Sequence, residues 1–507
     1  MNAYCGIDLG TQSLKALLIS AQGETLGVGQ EELAIESPSP GTAEQRPELW
    51  WDALRRAVAT ARSKAGLNPR DVRAVSFSGQ MHGTVCLDSD GNPLCPAIIW
   101  ADTRSRAEAD FINERVGFER LGRLTANRCA AGFMAATLLW LKTHEPDTFR
   151  RTRTVLLPKD YLRFRLTGKL GSDVSDACSS LLFSVAERTW SAELISELGL
   201  PLSIFPPLHE SQEVAGELVA DIGLERGIPV VAGGGDQPVA AIGNGIVRPD
   251  AVQVTVGTGG QIFLPTTSPF YDRELRTHTF CHSVPRMWFI MAATLSAGLS
   301  LRWLRDKVFT GAGYEELANE AAHAPPGAGG VIFLPYLLGE RTPHMDSSAT
   351  GAFVGLRFDT TRQELLRATI EGVAFSLRQG LELVESVAGF GDTGRPPAEA
   401  GSGTRPRHRL IVSGGGGQSA IWREILTNVF GRALFTSSGE EHAARGAAIL
   451  AAVADGAFPS LETACSALAN HTLSATPAPR LSAFYAERYE VFKALYPRLR
   501  DLTGRGP

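Results

Sequence analysis

The sequence predicts an α/β protein made of two similar halves that face one another across a central cleft. Three observations carry that expectation. Apolar, strand-like runs alternate with amphipathic helical stretches along the chain. A strand, a Gly-Thr turn and a second strand occur near the start, in "YCGIDLGTQSLKALLIS", and again at residues 251–265, in "AVQVTVGTGGQIFLP". Finally, three glycine-rich turns, "DLGTQS", "VGTGG" and "SGGGGQS", each follow a strand.

In chain order, the opening phrase reads as two strands joined at Gly10-Thr11. "PELWWDALRRAVATARSKAG" reads as a helix, with Pro47 at its start and Gly66 as its stop. "DVRAVSFSG" returns as a strand, and this order of elements resembles half of a ribonuclease-H-like fold. The second Gly-Thr phrase opens a second half, with the boundary near Gly245 to Asp250. "VIFLPYL", the helical stretch "RQELLRATIEGVAFSLRQGLELVESV" and "RLIVSGGG" supply its further elements. Between them, the Gly-, Pro-, Ser- and Arg-rich segment from Gly389 to Arg407 reads as an exposed loop.

Composition narrows the class. The 507 residues are 44% hydrophobic and 20% charged, which suits a chain with sizeable cores and more than one domain. A formal charge of -5 without a long basic run speaks against nucleic acid as a partner. The seven cysteines are scattered and never spaced as CxxC, which points to reduced thiols in a cytoplasm. No apolar run reaches the ~20 residues that cross a bilayer and no signal peptide is visible, so no membrane association is expected.

The glycine-rich turns expose backbone N–H groups without Cβ hindrance, a geometry suited to phosphate oxygens. Thr11, Ser13 and Thr258 add hydroxyls, and no Walker A loop is present. Asp8 ends the first strand beside that turn, where a carboxylate near phosphates implies an intervening Mg²⁺. Gly414 to Gly417 are expected at the N-terminus of the helix whose apolar face is Ile421, Trp422, Ile425, Leu426 and Val429. In "VVAGGGDQPVAAIGNG", three glycines precede Asp236 at a helix start. An isolated Asp there would be an N-cap, but three glycines allow a substrate to approach, and an ionised carboxylate could take a proton from an attacking hydroxyl. "HTFCH", from His278 to His282, has ligand-type residues but lies in a strand and reads as structural.

Taken in order, "GIDLGTQSLK", "GQMHG", "WADTR", "LLPKDYLRFRLTG", "SDVSDA", "GGGD", "GTGG", "FLPYLLGERTPH" and "SGGGGQSAIWREIL" resemble the FGGY-type carbohydrate kinases, from about Tyr4 to Ala452. The phosphate turns alone are shared in outline with actin-like and Hsp70-like ATPases. The resemblance implies two ribonuclease-H-like (actin-like ATPase) domains, residues 1–247 mainly for the sugar and 248–507 mainly for ATP. It implies Asp236 as catalytic base, with Asp8 and Asp236 toward Mg²⁺. Met81, His82, Trp100, Asp102 and Gln237 fall on the sugar side. Gly10, Thr11, Gln12 and Ser13 fall on the first phosphate loop, Thr258 and Gly259 on the second, and Gly298, Gly415, Gly416 and Gln418 on the nucleotide side. The implied reaction is phosphorylation of the five-carbon ketose D-xylulose by ATP, with another ketopentose, a deoxyketose or a polyol as the alternative. A homodimer is compatible with this reading. Gln237 and Gln418 depart from the family pattern, which shows Asn after the catalytic Asp and frequently a basic residue after the glycine turn.

Overall fold

The computed structural model describes residues 2–390, 408–437, 439 and 441–503. Most of the segment read as an exposed loop, residues 391–407, lies outside the described residues.

The opening phrase folds as expected. Strands β1 (Ala3–Leu9) and β2 (Ser13–Ser20) form an antiparallel pair, with β3 (Thr25–Glu32) antiparallel beyond β2. On its other edge β1 runs parallel to β4 (Val72–Gly79). The sheet then extends through β6 (Pro229–Val231), parallel to β4, to β5 (Val214–Glu217), antiparallel to β6. A two-residue strand, β7 (Gly234–Gly235), also pairs with β4.

Helix α1 (Pro47–Ala65) starts on a proline, whose missing N–H costs nothing in a first turn, and stops at Gly66 in the left-handed region at φ 63°. With α2 (Pro158–Thr167) it covers one face of the sheet, Trp50, Leu54, Tyr161 and Leu162 joining Ile7, Leu9 and Phe77 in one core.

The second half repeats this order. Strand β8 (Ala251–Val256) is flanked on one side by antiparallel β9 (Gly260–Thr266) and β11 (Trp288–Thr294), with β10 (His278–Cys281) outermost. On the other side lie parallel β12 (Arg409–Ser413) and β13 (Leu434–Ser437), then β14 (His471–Ala475). Helix α6 (Arg362–Val387) packs on this sheet, its start fixed by a capping box between Thr361 and Glu364. The four glycines depart from expectation. They form their own short helix, α7 (Gly414–Gln418), and the amphipathic helix α8 (Ala420–Phe430) begins only after Ser419.

Helices α4 (Asp236–Gly243) and α9 (His442–Ala454) lie on the remaining face of the first sheet, although α9 belongs to the second half of the chain. Three glycines let these backbones touch. A Cβ on Gly6 of β1 would lie 1.9 Å from the Ala444 carbonyl oxygen, one on Gly243 1.9 Å from that of His442, and one on Gly446 1.9 Å from that of Val239. Among the described residues, no helix is long and apolar enough to cross a membrane.

Gly6→Ala is therefore expected to destabilise the protein by about 1–3 kcal/mol or more through overpacking against backbone that cannot move aside. Gly66→Ala meets nothing within 4 Å and bears only the strain of its left-handed φ, about 1 kcal/mol. Denaturant midpoints of the two variants, measured side by side, check the order.

Candidate active site

The C-terminal edge of β1 delivers Asp8, which is level with Ser78 on β4 and Lys15 on β2. The Oδ1 atom of Asp8 is buried and has no hydrogen-bond partner among the described residues, and burial pushes the carboxyl above its usual range. Asp236 is the first residue of α4, with Gly235 as its cap and Gly233 before it at φ 74°. Burial raises the Asp236 carboxyl to about 7, and the negative charge of Asp8 adds to that rise. The backbone and side chain of Gln237 donate to Asp236 and work in the opposite direction. The two carboxylates expected to act together thus share one site. A buried, unpartnered carboxylate oxygen beside a second carboxylate fits Mg²⁺, which takes one or two carboxylates and completes its shell from phosphates and water.

The sugar phrase is positioned by an unusual backbone. His82 adopts φ 72°, which turns it out of the line of β4. Its amide donates to Ser179 Oγ at 3.0 Å, and its Nδ1 lies 2.7 Å from the Ser179 carbonyl oxygen. A carbonyl oxygen only accepts, so Nδ1 carries the proton and Nε2 is left as an acceptor. The ring stacks on Phe133 at 4.1 Å. Burial, helped by the Arg341 charge, lowers the His82 pKa to about 4, so the ring is neutral near pH 7. Met81 is buried and presses on the turn before Asp236, since a Cβ on Gly235 would meet its side chain at 2.9 Å. The soft apolar surface of Met81 therefore stands against the turn that carries the candidate base, and His82, the next residue in the chain, offers an acceptor.

Two expected contacts are corrected. Asp102 is 1% exposed, and its carboxylate accepts from the Ala43 amide at 2.7 Å, the Arg104 amide at 2.9 Å and the Arg104 guanidinium. Both oxygens are spent inside the protein, so Asp102 holds a turn and does not face the sugar. The Thr11 hydroxyl is also occupied, accepting from Trp100 Nε1 at 2.9 Å and donating to Gln80 Oε1 at 3.2 Å. What the first turn offers a phosphate is backbone: the N–H groups of Thr11 and Gln12 make no hydrogen bond among the described residues, whereas the Gly10 amide is held by the Ser13 carbonyl. Trp100 ties the sugar-side segment to this loop while its ring remains 43% exposed.

In the second half, the turn Gly257 to Gly259 is tied to the start of α5 (Gly298–Trp303). The Gly298 amide donates to the Gly257 carbonyl at 2.8 Å, and those of Ala297 and Leu299 donate to the Thr258 carbonyl. A Cβ on Gly298 would lie 2.6 Å from the Gly257 oxygen, so a larger residue would force the turns apart. A cavity of about 690 Å³ opens here, lined by Thr258, Gly298, Gly415, Gly416 and Gln418; Gly259 is not in its wall. Arg302, Tyr314, Asn319 and Trp422 also line it. The first three carry no signal in the sequence beyond an ordinary polar helical face. Of the "HTFCH" residues, His278 and His282 are buried, with His278 Nδ1 3.0 Å from Asn127 Oδ1, which accords with a structural role.

Comparison with known proteins agrees with this arrangement. The N-terminal domain of the FGGY family of carbohydrate kinases matches residues 3–243, and its C-terminal domain matches residues 252–454. A xylulose kinase of Escherichia coli (strain K12) is 37% identical over 504 residues, covering 98% of this chain and 99% of its own. One of Bacillus subtilis (strain 168) is 33% identical, covering 99% and 98%. The crystal structure of xylulose kinase from Rhodospirillum rubrum superposes with a TM-score of 0.89 at 29% identity, covering 99% of this chain and all of that one. With two family domains in order and relatives alike over nearly their full length, the chain belongs to the FGGY family of carbohydrate kinases.

Proposed function

We propose that the protein transfers the γ-phosphoryl group of ATP to the terminal hydroxyl of D-xylulose, giving D-xylulose 5-phosphate and ADP, in the cytoplasm. The observation that carries this reading is Asp236. Its carboxylate stands at a helix start behind three glycines, on a turn packed against Met81, with its pKa lifted to about 7. The likeness to xylulose kinases over nearly the whole chain supports the choice of sugar.

In the mechanism, His82 Nε2 accepts a sugar hydroxyl proton while Met81 lies along the carbon chain. Gln237 keeps the Asp236 carboxylate oriented, and Asp236 takes the proton of the attacking hydroxyl as its oxygen meets phosphorus. The free amides of Thr11 and Gln12 meet the phosphates from one half, and the turn at Thr258 meets them from the other. The nucleotide lies along the cavity between Gly298 and Gly415. Asp8 and Asp236 would hold Mg²⁺, which supplies positive charge against the phosphates and against the repulsion between the two carboxylates. Closing the halves excludes water, which would otherwise compete with the sugar as acceptor.

Asp236→Ala is expected to lower kcat by about 10²–10⁴-fold with ATP affinity retained, as read by coupled ADP release and nucleotide titration. Turnover within threefold of wild type removes Asp236 from the role of base. The same assay run across ketopentoses, deoxyketoses and polyols tests the sugar: greater kcat/KM for any of these than for D-xylulose replaces the substrate named above.

The pH dependence has a definite sign. A base must be ionised to accept a proton, and the Asp236 pKa is raised to about 7. The kcat/KM for the sugar is thus expected to be level above that pH and to fall about tenfold per unit below it. A profile that stays flat to pH 5.5 contradicts this.

A further inference from the structure

Behind the glycine turn lies a cluster of charges that the mechanism above does not use. Lys159 on α2 is fully buried, 2.7 Å from Asp160 Oδ1, 2.8 Å from Asp173 Oδ1 and 3.8 Å from Asp176 Oδ2, and all three acids are buried too. Burial works against the Lys159 ammonium, but the three carboxylates outweigh it and keep it charged. Charges cost several kcal/mol each to bury, so such a group is retained for what it holds.

It holds a hydroxyl against the turn. Asp173 caps α3 (Val174–Ala177), its Oδ2 accepting from the Ser175 amide at 2.8 Å, from Ser175 Oγ at 2.6 Å and from Ser211 Oγ at 2.8 Å. The Ser175 proton is therefore committed to Asp173, and the lone pairs of its oxygen face the other way. There they accept from the Gly235 amide at 3.2 Å and from Ser283 Oγ, in the second half of the chain, at 2.9 Å. Ser211 Oγ also lies 3.2 Å from Ser175 Oγ but has its shorter bond to Asp173, so the one donor and two acceptor sites of the Ser175 hydroxyl are all engaged. The fit is close: a Cβ on Gly234 would lie 2.5 Å from Ser175 Oγ and 2.4 Å from Ser283 Oγ.

We propose that Ser175, oriented by Asp173 and Lys159, is the positioning residue for Asp236: by fixing the amide of Gly235, the cap of α4, it sets the direction in which the next residue's carboxylate enters the cleft. The proposal rests on the reading of Asp236 as base. It makes the phrases "LLPKDYLR" and "SDVSDA" parts of one support reaching the base from outside the substrate pocket. A small displacement of a reacting group costs about 10²-fold in rate.

The test compares Ser175→Ala with Ser172→Ala in the full-length protein. Both remove one buried hydroxyl bonded to the same charge cluster, but Ser172 donates to Asp160 Oδ2, away from the turn. Ser175→Ala is expected to lower kcat about 10–100-fold, with KM for ATP and for the sugar within about threefold, while Ser172→Ala stays within about twofold of wild type in all three. Equal losses of kcat in the two variants, or a rise in KM alone for Ser175→Ala, overturn the proposal in favour of a general structural role. If Ser175→Ala does not accumulate folded, Ser175→Cys, similar in volume but a weak acceptor, is read against the same control. Asp236→Ala is assayed alongside. If it abolishes turnover and Ser175→Ala leaves kcat unchanged, the positioning role fails alone; if Asp236→Ala keeps its turnover, the reading of the base fails.

Discussion

Where α4 and α9 lie on the first sheet, the two halves of this molecule touch backbone to backbone. At Gly6, Gly243 and Gly446 the backbones of β1, α4 and α9 approach so closely that a single methyl group would overlap a carbonyl oxygen. Close-packed backbone neither compresses nor slides readily, so this seam works as a fixed pivot. Its consequence for chemistry is direct, because α4 has the pivot at one end and Asp236 at the other. Seven residues at ~1.5 Å each separate Gly243 from the candidate base, and Val239, whose carbonyl Gly446 approaches, lies three residues from it. Any rotation of the second half about α9 thus acts on Asp236 through a short, stiff rod.

The site at the far end of that rod is electrostatically expensive when empty. Asp8 keeps a buried oxygen without a partner, and Asp236 feels both burial and the charge of Asp8. Lys15 works against the rise at Asp8, but it is shared with Glu441 and burial outweighs it. The folded protein binds a proton at Asp236 more tightly than the unfolded chain does. Stability therefore declines as the pH rises from the ordinary carboxylate range to about 7. A divalent cation held by the two carboxylates would relieve that cost, which would link its binding to the proposed base.

How much of this could be read from the sequence depended on the distance between partners. Helix α6 has the bounds its periodicity implied, because Thr361 and Glu364 sit three residues apart and cap it locally. The Gly-Thr hairpins and the GGGD turn were legible for the same reason, each being a phrase of adjacent residues with its own backbone demand. What engages the Asp102 carboxylate and the Thr11 hydroxyl was not legible, because those bonds run to Ala43, Trp100 and Gln80, far along the chain. The Lys159 cluster stayed hidden for a related reason. A "KDYLRFR" run looks like a solvated helix face until "SDVSDA" folds over it, and nothing within either phrase announces the meeting. The four glycines misled differently: glycine disfavours helix, yet Gly414 must take φ 78° against the Val256 carbonyl and Gly416 lies against its side chain, so the packing chose a tight helical turn that propensity argued against.

The repeat itself explains why only one half carries the charge. With Gly10-Thr11 aligned on Gly257-Thr258, Asp8 corresponds to Thr255, and the sheet register pairs Asp8 with Ser78 just as it pairs Thr255 with Ser413. In the second half this position is a neutral hydroxyl pair at 3.0 Å; in the first it is a carboxylate with a spare oxygen. The same scaffold thus presents two phosphate-sized turns to one cleft, one backed by hydroxyls and one by a carboxylate. Along the cavity wall in the second half a nucleotide would meet the carboxylate of Glu315 together with the guanidinium of Arg302. On the proposed mechanism it would meet Asp8 and Asp236 at its tail, where a cation would offset them and the hydroxyl proton leaves. Carboxylates at this position in both halves would repel a polyphosphate from both sides, whereas here the second half has the neutral Thr255–Ser413 hydroxyl pair at the matching place.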